Sequence, residues 1–232
     1  MKSGVPVLFF VLACGGTSTE STIPTATPNE SVNAAAQTEL ERADERYEEF
    51  SQVRIDCTDQ ADVEGFIQCL QQQVRLLSGA AVESAEAYQR VLGHSEEAQW
   101  AVAALTGQAR TFAGAVSALN NVEVPEIYPA ALLEEDVRMS DEARLAVQEQ
   151  VSASIRAVLD TQARSIACTR IIYDVMALRL ALSQSVDSEY SQESGRRLST
   201  SSEEEIAACV DEGGRSDEAL EPYAPGELNL QR

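Results

Sequence analysis

The sequence predicts an all-α fold, and three observations carry that prediction. Apolar residues recur at three- and four-residue steps through the middle of the chain, the period of a helix with one buried face. Alanine is abundant, β-branched runs are few and aromatic residues make up only 5% of the 232 residues, a mix suited to closely packed helices rather than sheets. Connections between the periodic segments are short, which returns neighbouring helices antiparallel. The expected architecture is a set of antiparallel helical hairpins, stacked or gathered into a compact bundle of six or seven helices, with a disordered tether before it and an acidic tail after it. The expected divisions are residues 1–13, 14–36, 37–186 and 187–232.

Taken in order, the chain opens with Lys2 and a short apolar run, Val5 to Leu12. A bilayer span needs about 20 apolar residues, so this run reads as an export signal rather than an anchor helix. Its end, Val11-Leu12-Ala13-Cys14, resembles a bacterial lipobox. That resemblance implies removal of residues 1–13 as a signal peptide and acyl chains, such as palmitate, on Cys14. Gly15 stands where aspartate marks inner-membrane retention in that family, which points to the outer membrane, on its periplasmic face or at the cell surface. Small polar residues with Pro24 and Pro28 follow, too few in apolar surface to order themselves. A tether of this length reaches roughly 25 Å.

A first helix is expected over Ala34–Val53, with Leu40, Ala43, Tyr47 and Phe50 as its seam. Asp56 to Asp59 breaks the pattern. A second helix is expected from Asp62 to Ser78, with Phe66, Leu70, Val74 and Leu77 inward and Gly79 as its stop. Ala81 to Asn120 then reads as a hairpin. Its first half places Ala81, Tyr88, Val91 and Leu92 near one face. Its second half places Trp100, Ala104, Gly107, Phe112, Val116 and Leu119 at helical spacing. Ser95 is the expected cap between them, with Glu96 and Glu97 at the positive end of the second helix. A loop through Pro125 and Pro129 follows, then a short helix through Leu133. Ser140-Asp141-Glu142 caps a helix whose apolar face is Leu145, Val151, Ile155, Val158 and Leu159. Ile166 to Leu182 is apolar almost all round and is expected at the centre of the bundle, with a break in the helix near Thr161–Ser165. Residues 187–232 carry twelve acids against four arginines. They read as a mostly disordered tail with one short helix near 202–210, capped by serine and led by Glu203-Glu204-Glu205. Capping explains that triplet better than calcium, because the oxygen-rich spacing of a calcium loop is absent.

Charge and cysteine usage narrow the function. A net charge of −21 excludes a phosphate-gripping surface for nucleic acid and a polybasic grip on lipid headgroups. With Cys14 given to lipid, Cys57, Cys69, Cys168 and Cys209 remain. An even number in an exported chain favours disulfides, with three pairings open. Cys57–Cys69 with Cys168–Cys209 is the preferred one. On a continuous helix Cys57 and Cys69 would stand about 18 Å apart, so their bond requires the chain to fold back at Asp56–Asp59. A zinc site is disfavoured, since no Cys-x-x-Cys pair occurs.

His94 is the sole histidine and is expected at an exposed helix end, without partners for nucleophilic or metal chemistry. No glycine-rich phosphate loop, Gly-x-Ser-x-Gly or His-Glu-x-x-His occurs. No catalytic residue, cofactor or metal is therefore assigned. Trp100 is expected to pack between helices, and a ligand pocket lined by Tyr88, Trp100 and Phe112 is the alternative.

The hairpin Ala85-x-x-Tyr88-x-x-Val91-Leu92 followed by Trp100-x-x-x-Ala104-x-x-Gly107 resembles a tetratricopeptide-type unit. With the lipobox and Val122-x-Val124-Pro125, the chain resembles the tetratricopeptide-like helical lipoproteins of the myxobacterial lineage. The resemblance implies a non-enzymatic envelope protein, membrane-held by its lipid, that binds another envelope protein through helical hairpins. A ligand- or cargo-binding lipoprotein is the second expectation, and an enzyme with a site hidden in its many carboxylates the third.

Overall fold

The computed structural model describes residues 28–94, 96–129, 132 and 140–212. Among them the chain forms six helices and no strand: α1 Pro28–Ser51, α2 Val63–Val91, α3 Ala98–Asn120, α4 Asp141–Gln184, α5 Glu189–Leu198 and α6 Glu203–Glu212. The fold is all-α, as the periodicity predicts. The expected signal peptide, Cys14 and the tether up to residue 27 lie outside the described residues, as do residues 213–232.

Helix α1 begins at Pro28, six residues before the expected start at Ala34, so residues 28–33, expected in the tether, are helical. Leu40, Ala43 and Phe50 are buried along its seam. Helix α2 starts on Asp62, whose carboxylate accepts the Gly65 N–H at 2.7 Å. It then runs unbroken to Val91, through the expected stop at Gly79. A glycine inside a helix costs only about 1 kcal/mol relative to alanine, and packed faces on both sides outweigh that: Phe66, Leu70 and Leu77 before Gly79, Ala81, Ala87 and Tyr88 after it. Ser95, the expected cap of the next helix, lies outside the described residues. The cap position is Glu97, which makes no side-chain capping bond.

Helices α2 and α3 run antiparallel. Ser84 Oγ meets Thr111 Oγ1 at 3.0 Å, and four residues later on α2 the Tyr88 ring meets Gly107, four residues earlier on α3. A Cβ on Gly107 would stand 2.2 Å from Tyr88 Cε1. Only a glycine lets the two helices close around that ring.

Helix α4 is one helix of 44 residues, about 66 Å long, without the break expected near Thr161–Ser165. No glycine or proline interrupts it, and the Thr161 hydroxyl donates to Ala157 O at 2.7 Å, within the same helix. Ser140 caps it as expected, its Oγ accepting the Ala143 N–H at 3.2 Å. At the far end Ser185 takes the left-handed conformation (φ 55) and closes the last carbonyls. The second half of α4 packs antiparallel on α3, with Met176, Ala177 and Leu180 against Ala101, Val102 and Leu105. The first half continues past the end of α3 and packs near α2, over the loop that buries Val122 and Ile127. That loop is pinned by the Val63 N–H bonding Tyr128 O at 3.0 Å. The short helix expected from Pro129 falls largely outside the described residues. Ile155 and Leu159 are inward as expected, whereas Leu145 and Val158 are not: they stand 55% and 56% exposed.

The region after 187 departs most from expectation. Instead of a tail, Glu189–Leu198 is a helix with a reciprocal cap at Ser188: Ser188 Oγ accepts the Ser191 N–H at 3.3 Å, and Ser191 Oγ accepts the Ser188 N–H at 3.1 Å. Helix α5 packs on α3 and α4 with Ser191 and Ser194 buried. The short helix expected near 202–210 is α6, with Ser202 Oγ accepting the Glu205 N–H. Both preferred disulfides form. Cys57–Cys69 closes across the fold-back before α2, and Cys168–Cys209 ties α6 to α4, with Cα–Cα distances of 5.9 and 5.0 Å.

Candidate functional site

Tyr88, Trp100 and Phe112 do not converge. Tyr88 is fully buried among α1, α2 and α3, its hydroxyl donating to Asp44 Oδ1 at 2.6 Å. Burial, and then that hydrogen bond to a carboxylate, push the phenol's pKa upward. Trp100 packs against the Leu40–Tyr88 cluster and donates Nε1–H to Asn33 Oδ1 at 3.0 Å. Phe112 lies on the other face of α3, stacked on Tyr173 of α4 at 5.7 Å between centroids. The expected pocket is three separate packing sites. His94 is exposed just past the end of α2.

A chain of charged side chains crosses the bundle in their place. Asp44 of α1 lies 3.6 Å from Arg110 of α3, whose guanidinium stacks over Tyr47 at 5.4 Å. Arg110 grips Glu193 of α5 in two-pronged fashion, at 3.1 and 2.6 Å. Glu193 also meets Arg197 on its own helix. Arg197 reaches the fully buried Asp174 of α4 at 2.6 Å through Nη2 and at 3.1 Å through Nε. Arg170 completes the line, 3.7 Å from Asp174 and 2.7 Å from Ser201 Oγ. Burial alone would raise the Glu193 carboxyl, but Arg110 and Arg197 outweigh it and hold it below the usual carboxylate range. The buried Asp174 and the half-buried Glu193 are each matched to a guanidinium, which offsets the cost of taking their charge out of water.

Sequence reasoning missed this line. Asp174 registers in sequence as an interruption of an apolar run. The signal that finds it is physical: a carboxylate amid core residues needs a cation, and Arg170 stands one turn away. The Arg197 half of the bond belongs to a segment read as tail.

Three clefts bear on binding. One of about 720 Å3 lies between α3, α4 and the α5–α6 turn. Its floor arginines, Arg170 and Arg197, are committed to Asp174, and Asp160 and Glu205 stand at its rim. One of about 300 Å3 lies beside Phe50 and Gly114. The third, of about 560 Å3, separates α2 from the first half of α4 and is walled mainly by aliphatic side chains. None of the three is lined by Tyr88, Trp100 or Phe112. Along α2 an exposed ridge continues beyond this cleft, with Leu76 57% and Val82 51% exposed and Gly79 between them, where a Cβ would meet nothing within 4 Å. Among the described residues no group of three or more His, Cys, Asp or Glu is placed to hold a metal ion, and no helix is long and apolar enough to cross a membrane. No protein-family model, no curated protein and no solved structure matches this chain.

Proposed function

We propose that this chain is a non-enzymatic lipoprotein of the cell envelope, held to the outer membrane through acyl chains on Cys14, that serves as a protein-interaction module. The observation that carries the reading is the bare outer ridge of α2. Leu76 and Val82 flank Gly79 on a helix whose opposite side is packed in the core, and a small residue between two apolar ones lets a partner helix approach its backbone closely. An exposed apolar face of this kind marks a contact surface. The buried Asp174 and half-buried Glu193 support a scaffold rather than a catalyst, since both are spent on holding α5 to α3 and α4.

Affinity capture from the native envelope with the full chain, against a Leu76→Glu/Val82→Glu variant, tests the surface. The variant is expected to lose partners that the wild type retains; an unchanged captured set overturns the assignment. For the anchor, a labelled fatty acid is expected to mark the wild type and not Cys14→Ala.

A further inference from the structure

We infer that the cleft between α2 and α4 is a binding site for a single long-chain fatty acid. The site goes beyond the interaction surface and does not depend on it. Its walls are Ile67, Leu70 and Val74 of α2 and Ile155, Val158 and Leu159 of α4. Leu70, Ile155 and Leu159 are buried, while Ile67 and Val158 at the rim are 39% and 56% exposed. All six are aliphatic and no aromatic ring lines the cleft; Gln71, Ser154, Gln162 and Arg75 are its polar lining, so it recognises hydrocarbon along most of its length and offers no stacking surface for a sugar or a base. Its volume of about 560 Å3 falls inside the usual range for small-molecule sites, which favour gaps between helices of a bundle.

One charge lines the cleft, and it is Arg75. Arg42, Arg46, Arg90, Arg110, Arg170 and Arg197 each have a carboxylate within 4.0 Å. Arg75 makes no ion pair or side-chain hydrogen bond with any described residue. An unspent guanidinium beside an aliphatic trough is complementary to one molecule bearing a carboxylate and a hydrocarbon chain. The direction is set as well. Helices α2 and α4 both run antiparallel to α3, so they run parallel to each other and place Arg75 and Gln162 at the same end. The carboxylate sits there, and the carboxyl half of the chain runs back towards Ile67 over roughly 12 Å of helix, its methyl end leaving past the exposed rim at Ile67. A peptide helix fits less well, because two turns are too few for a stable isolated helix, whereas a hydrocarbon chain has no such nucleus to form.

The test is displacement of 11-(dansylamino)undecanoic acid from the full chain by palmitate and by 1-hexadecanol, with vesicles of phosphatidylglycerol as a third competitor. Palmitate is expected to displace the probe. Arg75→Gln is expected to weaken palmitate about tenfold while leaving hexadecanol unchanged. Val158→Asp is expected to weaken both by more than tenfold, and because Val158 is a surface position, its melting curve should match the wild type. Leu76→Glu/Val82→Glu should bind palmitate normally, which separates failure of this site from failure of the interaction surface. Absence of displacement by palmitate overturns the proposal, as does displacement by vesicles alone. Wild-type affinity in Val158→Asp overturns it too. A loss in Val158→Asp with none in Arg75→Gln overturns the carboxylate assignment and the fatty acid with it.

Discussion

Arg197 of α5 closes on Asp174 of α4 at 2.6 Å, and that carboxylate has no exposure to solvent. The pair anchors a helix that otherwise docks through Ser191, Ser194, Tyr190 and Leu198. Little hydrocarbon holds α5 down, so geometry and charge must.

Removing one member of a buried pair leaves the other uncompensated, at about 3–5 kcal/mol. Asp174→Ala removes the carboxylate that Arg170 and Arg197 share, leaving Arg197 only Glu193, whereas Arg197→Ala leaves Asp174 the more distant Arg170. Urea denaturation should show the larger loss in Asp174→Ala, and hydrogen exchange should show lost protection over Ser188–Leu198 in both. A loss under about 1 kcal/mol in Asp174→Ala would mean that the pair behaves as a surface contact.

Two glycines on the α2–α3 pair should respond to alanine with opposite signs. At Gly107 the new Cβ meets Tyr88 ring atoms at 2.2 to 2.5 Å. Overpacking of that kind costs about 1–3 kcal/mol, more than the helix-propensity gain returns. At Gly79 nothing lies within 4 Å, so Gly79→Ala should stabilise by roughly 0.5–1 kcal/mol. Thermal melts of the two variants, one below and one above the wild type, check the pair together.

That contrast bears on what the sequence made legible. Buried seams repeat every turn, so Leu40, Ala43 and Phe50, or Phe66, Leu70 and Leu77, are readable from spacing alone. The disulfide partners follow from the fold-back at Asp56–Asp59 and the parity of the cysteines. Gly79 was not readable as a helical residue, because a stop signal weighs about 1 kcal/mol and packing on either side overrides it. Helix α4 is continuous through Thr161 for a simpler reason: no glycine or proline stands in it to stop it. Helix α5 escaped for a different reason: its inward face is serine and arginine, which carry no apolar period, and its partner Asp174 lies in another element. The α2–α4 cleft was hidden because Val158 belongs by spacing to the apolar face, yet nothing described covers it.

The two disulfides should differ in what they hold. On the chain-entropy estimate, closing a loop of 41 residues between Cys168 and Cys209 stabilises by about 4 kcal/mol, against about 3 kcal/mol for the 12 residues between Cys57 and Cys69. The first pair also keeps Cys209 and Ile206 against Ile171. Denaturation of Cys168→Ala/Cys209→Ala should therefore show the larger loss. Equal losses would show that the longer loop is already restrained in the unfolded chain.

Stability should fall at both extremes of pH, through different groups. Glu193 has its folded pKa held down, so its contribution is present above the unfolded value of about 4.3 and is lost as pH falls through the folded one. Tyr88 has its folded pKa held up. Below about 10 the phenol is neutral in both states and its contribution is complete. Above that the unfolded chain gives up the proton while the folded chain keeps it, and stability declines. Tyr88→Phe keeps the ring over Gly107 but has no proton to lose, so it should be less stable than wild type at neutral pH, with Asp44 deprived of its donor, and should lose part of the alkaline slope. Glu193→Gln should flatten the acid limb alone. Urea midpoints from pH 3 to 11 separate the two, and an unchanged alkaline slope in Tyr88→Phe would assign that limb to other tyrosines, of which Tyr173 is also raised by burial.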